Sequence, residues 1–137
     1  MLIDSNIIIY SLDDTSPKHH LAQNFLLHHQ NQLVVAQQNI FETLRILTHR
    51  KFPNPFPVNE AIKALRAITE QATIIFPNLE THDLALELIQ KYRVTGTEVF
   101  DAYLVATALN NGIEEIASDN TKHLQKYEEI TVVNPFR

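Results

Sequence analysis

Apolar residues along the chain alternate between short runs and longer stretches at helical spacing. Leu2-Ile3 and Ile7-Ile8-Ile9 flank Asp4, which predicts a short first strand ending near Asp4. Ser16-Pro17 pairs a cap residue with a proline at a first helical position. Leu21, Phe25 and Leu26-Leu27 then recur at helical spacing to about His29. Leu33-Val34-Val35 reads as a short buried strand. Asn39 is placed to cap the next helix, whose apolar stripe is Ile40, Phe41, Leu44 and Leu47.

Three of the six prolines fall between Phe52 and Pro57, which predicts a loop. Ala61, Ile62, Leu65 and Ile68 mark a further helix, and Thr73-Ile74-Ile75-Phe76 a strand stopped by Pro77. Leu84, Leu86, Leu88 and Ile89 belong to a helix beginning near Thr81. Val99 to Leu109 is the strongest helical pattern, and Asn110-Asn111-Gly112 is its stop signal. Ile116-Ala117 and Thr131-Val132-Val133 close the chain as strands. Short strands alternating with longer helices imply an α/β fold: a short parallel central sheet with helices on both faces. No internal repeat or composition boundary interrupts the 137 residues, so one domain over 1–137 is expected.

Composition narrows the chemistry. Hydrophobic content of 45% with 20% charged residues fits a folded protein with its own core. Two glycines leave no phosphate-cradling loop of the Walker or dinucleotide type. Zero cysteines exclude disulfides and thiolate zinc sites and fit a reducing compartment, so a cytoplasmic protein is expected. Met1 to Ile9 is apolar but carries Asp4 and Asn6 without a basic segment, and is not expected to be a signal peptide. No stretch approaches a membrane span. Seven histidines invite a zinc reading, yet His19, His20, His28 and His29 lie on a polar helix face, and no histidine shows tight spacing to acids.

Four acids stand where hydrophobic elements begin or end. Asp4 and Asp119 fall at expected carboxyl ends of strands, the rim where parallel α/β sheets build their sites. Glu42 and Asp101 fall in expected first helical turns, where the dipole favours a carboxylate. Gathered together, they would make a hard, oxygen-lined site for Mg²⁺, the chemistry of phosphodiester hydrolysis. Each also has an ordinary explanation. Asp4 fits a turn residue, Glu42 stands three residues after Asn39 at the reciprocal capping spacing, and Asp119 beside Asn120 fits a turn or cap. Asp101 is harder to explain so, because Thr97 already supplies a cap. A net charge of −5 looks unfavourable for a nucleic-acid partner, but a carboxylate cluster presents positive charge once metallated. Arg45, His49, Arg50 and Lys51 form a local basic run, read equally well as a helix C-terminus complementing its dipole.

The chain resembles the PIN-domain family, in particular the VapC-type toxins of bacterial toxin–antitoxin pairs. The resemblance rests on Ile3-Asp4-Ser5-Asn6-Ile7, Phe41-Glu42-Thr43-Leu44-Arg45, the run Phe100-Asp101-Ala102-Tyr103-Leu104-Val105-Ala106-Thr107-Ala108, Ser118-Asp119-Asn120-Thr121 and Val132-Val133-Asn134-Pro135. It implies a metal-dependent ribonuclease, acting on RNA and held inactive by a cognate antitoxin. By the same resemblance Asp4 and Asp101 are direct Mg²⁺ or Mn²⁺ ligands, Glu42 is the third acid and Asn6 a polar group of the pocket. At the fourth position Ser118 stands for the family's Thr, which makes Asn120 the matching site and Asp119 its neighbour; either can face the metal. Ser118, Thr107 or Asn6 is available to orient a water or a carboxylate. Exposed apolar residues on the second and third helices are expected to serve a homodimer and a partner helix. Two alternatives stay open: an RNA-processing nuclease without a toxin role, and a catalytically idle RNA-binding module. A phospho-receiver domain fits poorly, because Asp4 stands alone after the first strand.

Overall fold

A computed structural model describes residues 1–137. Five parallel strands form one sheet: β1 (Leu2–Ile3), β2 (Val34–Ala36), β3 (Thr73–Ile75), β4 (Glu115–Ala117) and β5 (Thr131–Val133). Between them run α1 (Ser5–Leu12), α2 (His19–His28), α3 (Gln37–Leu47), α4 (Val58–Thr69), α5 (Thr81–Tyr92), α6 (Val99–Asn110) and the short α7 (Thr121–Leu124). This is the expected α/β architecture with a short parallel central sheet. The spatial order is β3-β2-β1-β4-β5. The chain therefore winds outward from β1 on one side, then crosses to β4 on the other.

The pleat divides the core into two layers. Leu2, Ala36 and Ile116 face a cluster with Ala85 and Leu88 of α5, Val105 of α6 and Tyr127. Ile3, Val35 and Ala117 face the opposite cluster with Ile7 and Ile8 of α1, Ala22 of α2 and Leu65 of α4. β1, β2 and β4 feed alternate residues to the two layers, and so helices cover both faces. No helix is long and apolar enough to cross a membrane.

Several boundaries differ from the sequence reading, each for a local reason. β1 ends before Asp4 as expected, and Ile7-Ile8-Ile9, not assigned to an element by the sequence reading, belongs to α1: the Asp4 carboxylate accepts a hydrogen bond from the Ser5 amide at 2.8 Å and caps a helix immediately after β1. Ile7 and Ile8 are fully buried, each contributing about 1.5–3 kcal/mol of hydrophobic stabilisation. Ser16-Pro17 forms a turn ahead of α2 instead of its cap; Lys18 donates its amide to Ser16 Oγ, and the helix starts at His19. α3 begins directly after β2, so Asn39 lies inside it and its Oδ1 reaches back to the Ala36 amide at 3.3 Å. Glu42 consequently sits in the second turn, not the first. Thr97 lies within a 3₁₀ turn, Gly96–Glu98, and does not cap α6. β3 stops at Ile75, one residue short of the expected Phe76. The stop signal after α6 holds, with Gly112 at a φ of 75° that a side chain would disfavour.

Candidate active site

β1 and β4 are neighbours where the winding reverses, and their carboxyl ends leave a crevice. Asp4 follows β1 and Ser118 follows β4. The Asp4 amide donates to the Ala117 carbonyl at 2.9 Å, which extends the ladder and fixes both residues on one rim. Asp4 is only 8% exposed. Its Oδ1 accepts from the Ser5 amide at 2.8 Å and from Asn39 Nδ2 at 3.2 Å; its Oδ2 accepts from Ser118 Oγ at 2.6 Å and Asn6 Nδ2 at 3.3 Å. Burial nevertheless raises the carboxyl above the usual range. The bonds from Ser118 and Ser5 offset part of that rise, and the Glu42 charge adds to it.

Glu42 reaches the crevice from α3. Its Oε2 accepts from Ser5 Oγ at 3.0 Å and its Oε1 from Gln38 Nε2 at 3.2 Å. Asp101 arrives from the first turn of α6. Burial first, then the Asp4 charge, push its carboxyl up to about 6; His123 pulls it down, while Glu42 and Glu98 raise it further. His123 Nδ1 lies 3.6 Å from Asp101, and its Nε2 lies 3.2 Å from Glu98, which also pairs with Lys126 at 3.3 Å. Asp4, Glu42 and Asp101 thus feel one another's charge in a partly buried space, and no Lys or Arg forms an ion pair with any of them.

The two residues at the fourth position diverge. Asp119 turns outward, bound by the Lys18 ammonium, by Tyr10 Oη at 3.2 Å and by Asn134 Nδ2 at 3.4 Å. Burial pushes its carboxyl up, but Lys18, Tyr10 and Asn134 outweigh that and hold it below the usual range. Asn120 instead faces His123. Its amide N–H donates to Ser118 Oγ at 2.9 Å, and its Nδ2 lies 3.3 Å from Nδ1 of His123, the residue beside Asp101. Asn6 and Ser118 join the pocket as expected: Asn6 Nδ2 donates to Ser118 Oγ at 3.0 Å, and Asn6 Oδ1 accepts from the Asp119 amide at 3.1 Å. Thr107 does not. Its hydroxyl donates to the Tyr103 carbonyl at 2.9 Å inside α6.

Ser5, Gln38, Asn39 and His123 were not assigned to the site from sequence. The spacing of Gln38 four residues before Glu42 could have signalled a shared helix face. Asn39 has the sequence position of a cap, and Ser5 and His123 carry no local signal, because their partners Glu42 and Asp101 come from distant segments. Two buried side-chain polar atoms lack a hydrogen-bond partner, Gln38 Oε1 and Tyr127 Oη. Gln38 contacts Glu42, and the Asp101 charge is, after burial, the main influence raising the Tyr127 hydroxyl to about 12.

The donor set suits a hard divalent cation: carboxylate oxygens, mutually repelling, with no Lys or Arg to neutralise them. The gathering is incomplete, since no three or more His, Asp and Glu side chains are drawn closely enough to hold an ion as the chain stands.

Solved structures share this fold. FitAcB from Neisseria gonorrhoeae is similar at a TM-score of 0.76 and 15% identity, over 98% of this chain and 97% of that one. VapC20 of Mycobacterium tuberculosis, a sarcin–ricin loop cleaving toxin, is similar at 0.72 and 12% identity, over 94% and 97%. A toxin–antitoxin complex from Klebsiella pneumoniae contains a chain similar at 0.70 and 21% identity, over 98% and 96%. No curated protein sequence matches the chain. The PIN domain family model matches residues 1–129, and with its fold and its rim of acids the chain belongs to the PIN domain family.

Proposed function

We propose that the chain is a Mg²⁺-dependent ribonuclease of the VapC type, with Mn²⁺ able to substitute, restrained by a cognate antitoxin. The observation that carries this reading is the pair Asp4 and Asp101: two partly to fully buried carboxylates at the sheet's reversal point, each held above its usual pKa, without a Lys or Arg counter-ion. A divalent cation removes that penalty, and the crevice offers no alternative of comparable charge. Asp4 and Asp101 are assigned as direct ligands, Glu42 as the third acid and Asn120 as the fourth position. Asp119 is removed from the ligand set, because its carboxylate is committed to Lys18.

When bound, such an ion polarises the scissile phosphate and lowers the pKa of an attacking water. The chain's own contribution is orientation. Ser118, Asn6, Asn39 and the Ser5 amide fix both Asp4 oxygens, leaving the carboxylate little freedom to rotate. Ser5 and Gln38 do the same for Glu42. An antitoxin partner is supported by the toxin–antitoxin complex among the similar structures. Homodimer formation is supported by exposed apolar residues on the second and third helices of the sequence reading, Phe41 of α3 and Val58 of α4, at 62% and 60%.

Asp4→Asn and Asp101→Asn should each abolish Mg²⁺-dependent RNA cleavage while the circular dichroism spectrum stays that of the wild type. Cleavage that persists in excess EDTA would overturn the mechanism, and loss of fold in both variants would make the acids structural.

A further inference from the structure

Gln38 joins the two helices that deliver Glu42 and Asp101. Its Nε2 donates to Glu42 Oε1 at 3.2 Å and to the Phe100 carbonyl at 3.0 Å. The second bond is the one side-chain hydrogen bond that connects α3 with α6, and Phe100 immediately precedes Asp101. Both amide hydrogens are thereby used. The remaining atom, Oε1, is buried and has no donor. Exchanging nitrogen and oxygen would set Oε1 against a carboxylate and a carbonyl, so the two acceptors decide the orientation.

Stability alone does not account for this residue. A buried acceptor without a donor is a cost. Glu42 would keep its bond from Ser5 without Gln38. The Phe100 carbonyl lies inside α6, where the helix ladder supplies a partner. An apolar side chain of similar length would remove the unpartnered oxygen and leave both neighbours satisfied. A residue retained at such a cost, on the only polar bridge between two ligand-bearing helices, has the properties of a support for the site.

We propose that Gln38 is a positioning residue that sets the spacing of Glu42 and Asp101, so that the two carboxylates can share one divalent cation. The inference rests on the metal-site reading above. It is tested with Gln38→Met and Gln38→Leu, which remove the bridge and the unpartnered oxygen together. Melting is followed in EDTA, and Mn²⁺ affinity is measured by calorimetry on the folded, metal-free protein.

Both variants should melt at or above the wild-type temperature, while the Mn²⁺ dissociation constant rises by about tenfold, as when a supporting partner of a metal ligand is lost. Wild-type Mn²⁺ affinity in the variants overturns the positioning role and leaves the metal site standing. Affinity that falls in step with melting temperature in both variants assigns Gln38 to the fold instead. A folded wild-type protein that takes up no Mn²⁺ removes the metal site itself, and this inference with it.

Discussion

Asp4 and Asp101 carry the largest electrostatic cost in the crevice, and that cost has a sign that can be read in solution. The Asp101 carboxyl is raised from 3.8 to about 6, so the folded chain holds this proton more tightly than the unfolded one. Its contribution to stability therefore falls as pH rises from about 4 to about 6, and the full penalty is present above that window. In metal-free protein, Asp101→Asn should flatten this part of the stability–pH profile. At pH 7 it should gain about 1 kcal/mol in urea unfolding, the shift being discounted for the solvent-facing part of the carboxyl. A profile identical to that of the wild type would show that Asp101 is not strained. Asp119 and Asn120 separate by the same logic. Asp119→Asn should leave Mn²⁺ affinity within about twofold of wild type and cost no more than about 1 kcal/mol, because it touches a surface ion pair. Asn120→Asp should tighten Mn²⁺ binding by placing a second charge beside Asp101. Loss of metal affinity in Asp119→Asn would return that acid to the ligand set.

Elements with a single strong period were readable before the fold was known: α6, α5 and the strands around Val34, Thr73, Ile116 and Val132 appear within a residue or two of expectation. What failed was the transition from strand to helix. β1 ends at Asp4 as expected, but the helix over Ile7-Ile8-Ile9 carries no separate start signal, because the one carboxylate that ends the strand also caps the helix. α3 likewise starts without a connecting loop, which moved Asn39 and Glu42 one turn deeper than expected. The acids Asp4, Glu42 and Asp101 could be found from sequence because charge is anomalous beside apolar runs. Ser5 and His123 could not, since they are ordinary polar residues until distant segments meet, while Gln38 is marked only by its four-residue spacing to Glu42. One terminus invites a direct test. Arg93 closes α5 in the left-handed region at a φ of 53°, a conformation unfavourable to a side chain. Arg93→Gly should stabilise the protein by about 0.5–1 kcal/mol in urea unfolding, because the native strain relieved exceeds the added chain entropy. A loss of stability would mean that the Arg93 side chain makes an unrecognised contact.

The whole chain carries a net charge of −5 and its proposed site is acidic, so the proposed ribonuclease role requires that attraction to RNA be supplied locally. Arg45, His49 and Lys51 line an exposed hollow on and just after α3, with Phe52 and Pro53 at its edge. Arg45 stands three residues after Glu42 on α3, and His49 and Lys51 follow the end of that helix. Metal-free protein should bind RNA poorly, because uncompensated carboxylates repel phosphate within the roughly 8 Å screening length at physiological salt. Bound Mg²⁺ would offset most of that carboxylate charge without altering a basic residue. A cleavage-resistant RNA analogue, titrated by fluorescence anisotropy at several salt concentrations, distinguishes the two contributions. Replacing Arg45 and Lys51 together should weaken binding with Mg²⁺ present and reduce its salt slope by about one to two units. Removing Mg²⁺ should weaken it further in both proteins. Equal affinity with and without Mg²⁺ would place RNA recognition away from the crevice. An unchanged salt slope in the double variant would confine the basic run to its helix dipole.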